Sequence, residues 1–225
     1  MTGAARRALR LAALLPAAAA LAAGCVGLER NPDVVGAYSD KLSPFNFKEE
    51  GAVARLVVGV DGARFIRDEP YFPLFVQVAN RTHDTFEITR ESFLLEDSLG
   101  RQYALAPARE LSERYHRIDI DRRLFRQNRQ FTAVGVDLFT RVDSDFFPST
   151  ARRTILIDQV SLPPRTYMED VLYFPVPEGG LNGVPLRLVF AVRGLADPIV
   201  AVFEVPRTLG ILEKRRERDA QEPRP

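Results

Sequence analysis

Three kinds of side chain in this sequence have the type and position to do chemistry: one thiol, two imidazoles and a group of guanidiniums. Cys25 is the single cysteine of the 225 residues, and a free thiol is a site for acylation, oxidation or metal binding. His83 and His116 are the only histidines, and histidine is the usual base beside a catalytic nucleophile. Seven arginines lie within residues 109–129, and guanidinium groups bind phosphate and carboxylate through paired hydrogen bonds.

The segment before Cys25 has the pattern of a signal peptide. Arg6, Arg7 and Arg10 stand in a stretch without acidic residues, and residues 11–24 are fourteen uncharged and mostly apolar residues. A helix that spans a bilayer needs about 20 such residues, so this run is too short for a permanent anchor. We therefore expect residues 1–24 to be a signal peptide that is removed.

The end of this run resembles the lipobox of bacterial lipoproteins. The motif is Leu21-Ala22-Ala23-Gly24-Cys25; the family usually has Leu three residues before the cysteine, where this chain has Ala22. The resemblance implies that Cys25 receives a diacylglyceryl thioether, becomes the mature N-terminus and is N-acylated. Val26 after the cysteine implies sorting to the outer membrane, with the body facing the periplasm. An ordinary secretory signal that happens to contain a cysteine is the alternative.

The two histidines do not predict an active site. They are 33 positions apart, and the sequence contains no Gly-x-Ser-x-Gly elbow, no phosphate-binding glycine-rich loop and no dinucleotide fingerprint. Two histidines and one acylated cysteine also make no convincing zinc set. We expect no enzyme, no catalytic residues, no metal site and no cofactor other than the lipid on Cys25.

Two close pairs of aspartates leave calcium binding open as an alternative. Asp119 is followed by Asp121, and Asp143 by Asp145. Neither pair has the glycine and the later glutamate of a known calcium loop, so helix capping and turn formation are the favoured interpretation.

The arginine-rich stretch is the most distinctive local feature. Its seven arginines face four acidic residues within residues 107–130, which leaves a local excess of positive charge. This predicts contact with an anionic lipid, a glycan or an acidic partner protein; the candidate contact residues are Arg114, Arg117, Arg122, Arg123, Arg126 and Arg129. A solvated face with local ion pairs, such as Glu110 with Arg114, is the simpler alternative.

Length, composition and charge exclude several classes of protein. The chain is 46% hydrophobic with 16 Pro and 14 Gly, which allows one sizeable core and argues against a disordered, collagen-like or disulfide-framework protein. Loss of the signal peptide lowers the 31 basic residues to 28, against 30 acidic ones. A mildly acidic mature chain has no general attraction for nucleic acid, so we expect no nucleic-acid partner.

Alternating apolar residues predict an all-β fold. The period of two is clear at residues 52–58, 74–79, 85–89, 166–174, 186–192 and 199–205, and residues 93–96 and 101–105 flank a hairpin turn at 97–100. Proline and glycine separate these runs, without a regular alternation of strands and helices. This favours an antiparallel β-sandwich over a doubly wound sheet.

Two stretches resemble a family of domains. Residues 75–82 and 93–103 look like the strand, Asn turn and Leu-x-Asp-x-x-Gly-x-x-Tyr hairpin of immunoglobulin-like domains in small bacterial lipoproteins and secreted antigens, and residues 162–177 are similar to their later strand. The resemblance implies an immunoglobulin-like β-sandwich. It carries over no catalytic residues.

The predicted layout has four parts after one another. Residues 1–24 are the signal peptide, 25–51 a lipidated flexible tether, 52–207 the β-sandwich, and 208–225 a short helix with a charged tail. Within the sandwich, residues 107–154 form an arginine-rich insertion, with helices near 107–116 and 121–130, on one edge or end of the domain. The predicted function is a non-catalytic interaction or assembly module of the bacterial envelope, held by a lipid anchor and contacting another envelope protein; the alternative is a binding module for an anionic lipid or glycan.

Overall fold

Short strands make up most of the body. The computed structural model describes residues 38–66, 68–132, 138–146, 157–181 and 183–206. The described residues include the helices α1 (Ala108–Arg114) and α2 (Ile118–Thr132) and 3-10 turns at Ala63–Phe65 and Arg90–Ser92. The strands are β1 (Asp40–Ser43), β2 (Asn46–Glu50), β3 (Ala54–Gly59), β4 (Tyr71–Asn80), β5 (Phe86–Thr89), β6 (Phe93–Asp97), β7 (Gln102–Ala104), β8 (Thr140–Val142), β9 (Gln159–Leu162), β10 (Thr166–Pro175), β11 (Pro185–Phe190) and β12 (Ile199–Glu204).

The larger sheet has six strands in the order β1-β2-β3-β4-β10-β8. Its neighbours pair antiparallel, except that β8 runs parallel to β10 from Thr140↔Thr166 to Val142↔Met168. The two longest strands, β4 and β10, each have ten residues and pair along nearly their whole length.

The smaller sheet has the order β12-β11-β6-β7, and β5 pairs with β9 in a separate ribbon. The predicted hairpin lies between β6 and β7. Asp97 Oδ1 accepts the backbone N–H groups of Leu99 and Arg101 at 2.9 and 3.0 Å, and Gly100 takes a positive φ of 77°. An aspartate and a left-handed glycine are what such a turn requires.

Helices and the smaller sheet cover opposite faces of the larger sheet. Phe47 of β2 contacts Phe203 of β12, with ring centroids 6.1 Å apart, and Phe47 shares a face with Val76 through the strand register. Phe75, the preceding residue, points to the opposite face, where its ring lies 5.3 Å from Phe125 of α2. The body therefore has three layers, and every residue of β3 and β4 is buried.

Hydrogen bonds join the two sheets along both sides. Ser39 donates its N–H to Val202 O at 3.0 Å and accepts the Val202 N–H on its hydroxyl at 2.8 Å. On the other side, Ala106 donates its N–H to Tyr173 O at 2.8 Å. These contacts close the sandwich without extending either sheet.

The all-β sandwich is confirmed, and so are the strands predicted from alternation. The strands β8 and β9 were not predicted, and the predicted helix near residues 208–218 lies outside the described residues. The immunoglobulin-like arrangement within the sandwich class stays a prediction. Of the helices in the described ranges, none has the length and apolar character needed to cross a membrane.

The predicted tether of residues 25–51 is wrong for its last part. From Tyr38 onward the chain belongs to the sandwich, because β1 and β2 form a hairpin on the edge of β3. Phe47 is fully buried, and Asn46 donates to the Ser43 hydroxyl at 2.8 Å across the turn. Pairing with β3 and burial of Phe47 therefore place this stretch in the sandwich, although its prolines, asparagines and charges without a sustained period predicted a spacer.

The predicted helices of the insertion correspond to α1 and α2, but the predicted place of the insertion is wrong. The helices lie on the outer face of the larger sheet rather than on an edge or end of the sandwich. Tyr71 donates its hydroxyl hydrogen to Glu110 of α1 at 2.8 Å, and Phe75 packs on Phe125 of α2. The apolar outer face of β4 and β10 requires a cover, and the helices provide it.

Gly62, in the turn before Ala63–Phe65, packs directly on β4 of the larger sheet. A Cβ on Gly62 would lie 2.8 Å from Pro73 Cγ and 3.1 Å from Phe75 Cζ, although its φ of −65° suits any residue. We expect Gly62→Ala to lower the free energy of unfolding by about 2 kcal/mol, because the rings must move. Gly179→Ala is the matched control, since its Cβ would meet nothing within 4 Å. Equal urea midpoints for the two variants would contradict this packing.

Candidate functional site

A cluster of buried and half-buried polar side chains joins α2, strand β10 of the larger sheet and the chain that follows α2. We call it the helix–sheet cluster and define it by its members, Tyr115, Asp121, Arg122, Asp145 and Asp170. Its first contact is local: the Tyr115 hydroxyl donates to Asp121 Oδ2 at 2.5 Å, and both side chains are buried. The Tyr115 ring also packs edge-on against Tyr173 of β10, at 5.3 Å between centroids.

Charged groups fasten the chain that follows α2 to the same cluster. Arg122 of α2 donates from Nη2 to Asp145 Oδ1 at 2.8 Å. The next residue, Phe146, donates its backbone N–H to Asp170 Oδ2 at 3.0 Å, while Asp170 Oδ1 accepts the N–H of Val171 at 2.8 Å. A carboxylate of β10 therefore holds the return segment through main-chain hydrogen bonds.

Arg90 connects the two ends of the helical segment through hydrogen bonds. Its Nη2 donates to Ala106 O at 2.5 Å, just before α1, and its Nη1 donates to Phe146 O at 2.9 Å, after α2. Arg90 stands in the 3-10 turn between β5 and β6, so its backbone belongs to the sandwich. One guanidinium thus positions both points at which the chain leaves and rejoins the sandwich.

Burial changes the acid–base properties of the two aspartates. Burial raises the pKa of Asp121 to about 6, although the Tyr115 hydrogen bond and the charge of Arg117 oppose this change. Burial likewise raises the pKa of Asp170 to about 7, against the N–H groups of Phe146 and Val171 and the charge of Arg122. The phenol of Tyr115 also has a raised pKa, because it is buried beside Asp121.

The cluster can therefore hold or release protons near neutral pH. Asp121 lies on the side of α2 that faces the sheet, whereas Asp170 pairs with Val76 of β4 and so points to the face of the larger sheet that carries Phe47. Such an arrangement couples protonation to the packing of the helices.

The structure separates the predicted contact arginines into two groups. Arg122 points inward to Asp145, and Arg117 lies half-buried near enough to Asp121 to lower its pKa. Arg114, Arg123 and Arg126 are exposed, whereas the side chain of Arg129 lies outside the described residues. The helix ion pair is Arg109 with Glu113, at 2.9 Å, and Glu110 accepts from Tyr71. Cys25 lies outside the described residues as well.

The histidines and the paired aspartates do not come together. His83 lies in the turn after β4 and His116 between α1 and α2, and both are exposed. Asp121 and Asp145 are engaged by Tyr115 and Arg122. Across the described ranges, no three His, Cys, Asp or Glu side chains are grouped so that they could hold a metal ion.

Two solved structures resemble this chain weakly. One is the crystal structure of a "putative lipoprotein (ycdA)" from Bacillus subtilis, with a TM-score of 0.37 and 10% identity over 70% of this chain and 38% of that one. The other is the yjhA protein of Bacillus subtilis, with a TM-score of 0.38 and 11% identity over 70% of this chain and 95% of that one. This chain thus spans well under half the length of the ycdA protein. At this level of similarity the two matches assign neither a family nor a function.

No known family model and no curated protein sequence matches the chain.

Sequence reasoning missed Asp170, Tyr115 and Arg90 as members of one network. Asp170 interrupts an apolar strand, and Asp121 falls on the same helical face as Ile118 and Phe125. A carboxylate on an apolar face is the signal that could have identified both as buried groups.

Proposed function

We propose that this chain is a lipid-anchored protein of the bacterial envelope that acts as a non-catalytic interaction or assembly module. The observation that carries the proposal is the placement of the only cysteine. Cys25 directly follows a basic segment and fourteen uncharged, mostly apolar residues, at the position where a lipobox requires it. The acyl chains would hold the protein on the membrane, since each buried methylene contributes roughly 0.8 kcal/mol.

The distance from the anchor to the body supports a role close to the membrane. Twelve residues separate Cys25 from Tyr38, where the described body begins. At about 3.5 Å per residue, this spacer reaches at most about 40 Å. Ser39 is hydrogen-bonded to Val202, so the body starts directly after the spacer. The sandwich would stay within reach of neighbouring envelope proteins.

The use of the titratable groups supports a non-catalytic role. The two aspartates with raised pKa values hydrogen-bond to Tyr115 and to the backbone of Phe146 within the body, and the two histidines lie apart on exposed turns. The surfaces left for a partner are loops, strand edges and the outer side of the helices. We infer that one of these contacts another envelope protein.

Replacement of Cys25 tests the anchor. We expect Cys25→Ser to abolish incorporation of labelled palmitate and to prevent release of the mature acylated N-terminus, because serine offers no thiol for the thioether. Val26→Ser, one residue further, is the matched control and should keep both properties. Mass spectrometry of the N-terminal peptide gives the readout. An unacylated Cys25 in the wild-type protein would overturn the proposal.

Photo-crosslinking in intact cells tests the partner. A crosslinking residue is placed in turn at Lys41 of β1, at Leu99 in the β6–β7 hairpin, where 71% of the residue is exposed, and at Arg123 of α2. We expect one surface to capture one defined envelope protein and the others to capture none. Adducts to lipid or glycan alone, through Arg123, would contradict an assembly role.

A second candidate function is binding of an anionic lipid or glycan by the helical segment. It is favoured by the exposure of Arg114, Arg123 and Arg126. Exposed guanidinium groups can bind phosphate through paired hydrogen bonds.

A further inference from the structure

The outer surface of the helical segment carries more arginines than acidic residues. The carboxylates of Glu110, Asp121 and Asp145 are engaged by Tyr71, Tyr115 and Arg122, on the side of the helices that faces the sheet. The exposed arginines are Arg109 and Arg114 on α1 and Arg123 and Arg126 on α2, and Arg109 is paired with the exposed Glu113. The segment has seven arginines against four acidic residues in the sequence, so it presents an excess of positive charge outward.

The outward side of α2 is defined by helical geometry. Ile118, Asp121 and Phe125 are spaced three and four residues apart and face the sheet, so Ile120, Arg123 and Gln127 lie on the opposite side, with Arg126 beside them. Ile120 is 40% exposed. We call Ile120, Arg123, Arg126 and Gln127 the α2 outward face. Asp119, half-buried, is the acidic residue at its margin.

We propose that the α2 outward face, with Arg114 of α1, lies on the anionic phospholipid headgroups of the membrane that carries the anchor. This inference rests on the proposed anchoring at Cys25. The charge complementarity identifies the occupant, since phosphate oxygens accept the paired N–H groups of arginine. Ile120 adds one apolar side chain at the depth of the headgroups.

Because the lipid anchor already holds the protein on the membrane, even a weak contact between the helices and the headgroups would be populated. A spacer of twelve residues keeps the helices at a high local concentration near the bilayer, so that surface contact becomes an intramolecular step. Each arginine near an anionic surface strengthens attachment by roughly fivefold at physiological ionic strength. Loss of Arg123 and Arg126 together would then weaken surface contact by roughly 25-fold. The contact would fix the orientation of the sandwich rather than its attachment.

Arginine-specific labelling of the lipidated protein in vesicles tests this inference. The full acylated protein is reconstituted into vesicles of phosphatidylcholine alone or with 30 mol% phosphatidylglycerol, and exposed arginines are modified with phenylglyoxal and located by mass spectrometry. We expect labelling of Arg123 and Arg126 to fall at least threefold in the anionic vesicles only, and to recover in 1 M salt. Arg193, in the turn after β11 on the smaller sheet, is the internal control and should label equally in both.

Variants separate the outward arginines from those that hold the fold. Arg123→Gln with Arg126→Gln should abolish the protection of Arg114 by anionic vesicles, whereas Arg193→Gln should leave it unchanged. Arg122 is kept, since it pairs with Asp145. Equal labelling of Arg123 in both kinds of vesicle, or protection that persists in 1 M salt, would overturn the inference. Failure of the protein to stay on neutral vesicles would instead refute the lipid anchor itself.

Discussion

Replacing Arg90 with methionine is expected to lower the free energy of unfolding by about 3 kcal/mol. The guanidinium donates to Ala106 O and Phe146 O, at 2.5 and 2.9 Å, and these carbonyls bracket the helical segment. Methionine fills a similar volume but offers no donor, so two carbonyl groups at a partly buried position lose their partner. Arg90 holds both ends of the helical segment. In the Arg90→Met variant we therefore also expect the amide hydrogens of α1 and α2 to exchange faster than in the wild type, by a larger factor than those of the sandwich strands.

Two further variants identify the cause of this loss. Arg90→Lys keeps the positive charge but replaces the planar fork with a single ammonium, so it should recover only part of the stability. Arg193→Met removes an exposed arginine on the smaller sheet and should change the unfolding free energy by less than about 0.5 kcal/mol. Urea unfolding and hydrogen exchange measure both effects. If Arg90→Met unfolds at the same urea concentration as Arg193→Met, the two hydrogen bonds of Arg90 contribute nothing to the free energy of unfolding.

The strands of the sandwich were predictable because their signal is local. A sequence period of two identified β3 and β4, although both of their faces are buried, and Asp97 with Gly100 marked the turn of the β6–β7 hairpin. The hairpin of β1 and β2 escaped because Lys48, Glu49 and Glu50 dominate its composition. Its burial depends on contacts with β12 from far along the chain, such as that of Phe47 with Phe203, 156 residues later, and that of Ser39 with Val202.

The helix–sheet cluster was harder to predict than the helices that carry it. Pro107 marked the start of α1, whereas α2 begins at Ile118, three residues before the predicted start at Asp121, which lies in its first turn. Nothing local says that Arg122 pairs with Asp145 whereas Arg123 stays in solvent. That difference follows from which side of α2 faces the sheet, and Ile118 and Phe125 decide it. Helical periodicity applied to the charged residues, as well as to the apolar ones, would have divided the arginines correctly.

Stability is expected to fall as the pH rises from 5 to 8, because two buried aspartates must ionise in the folded protein. The pKa values are about 6 for Asp121 and about 7 for Asp170, both above the ordinary aspartate value of 3.8. The folded state therefore keeps protons that the unfolded chain has already lost. The stabilisation is complete below pH 3.8 and disappears as the pH passes through 6 and then 7. Over this window the loss from Asp170 is about 3 kcal/mol and that from Asp121 about 1 kcal/mol.

Other carboxyl groups act outside this window. Hydrogen bonds from the backbone and from the side chains of Arg101 and Tyr103 outweigh burial and hold the pKa of Asp97 below its ordinary value. A lowered pKa has the opposite effect, since its stabilisation is present at neutral pH and is lost only as the pH falls through the folded value. Measurements between pH 5 and 8 therefore report mainly on the helix–sheet cluster.

Asparagine at these two positions separates the titration from the packing. We expect Asp170→Asn to remove most of the fall in unfolding free energy between pH 5 and 8, whatever its absolute stability, because the amide carries no titrating proton. Asp121→Asn keeps an oxygen for the Tyr115 hydroxyl and should remove a smaller part of the fall. Asp143→Asn is the control, since its side chain is 94% exposed, and it should leave the pH profile unchanged. A wild-type profile that is flat across this range would mean that the two carboxyl groups ionise without cost, and that protonation does not govern how the helices pack on the sheet.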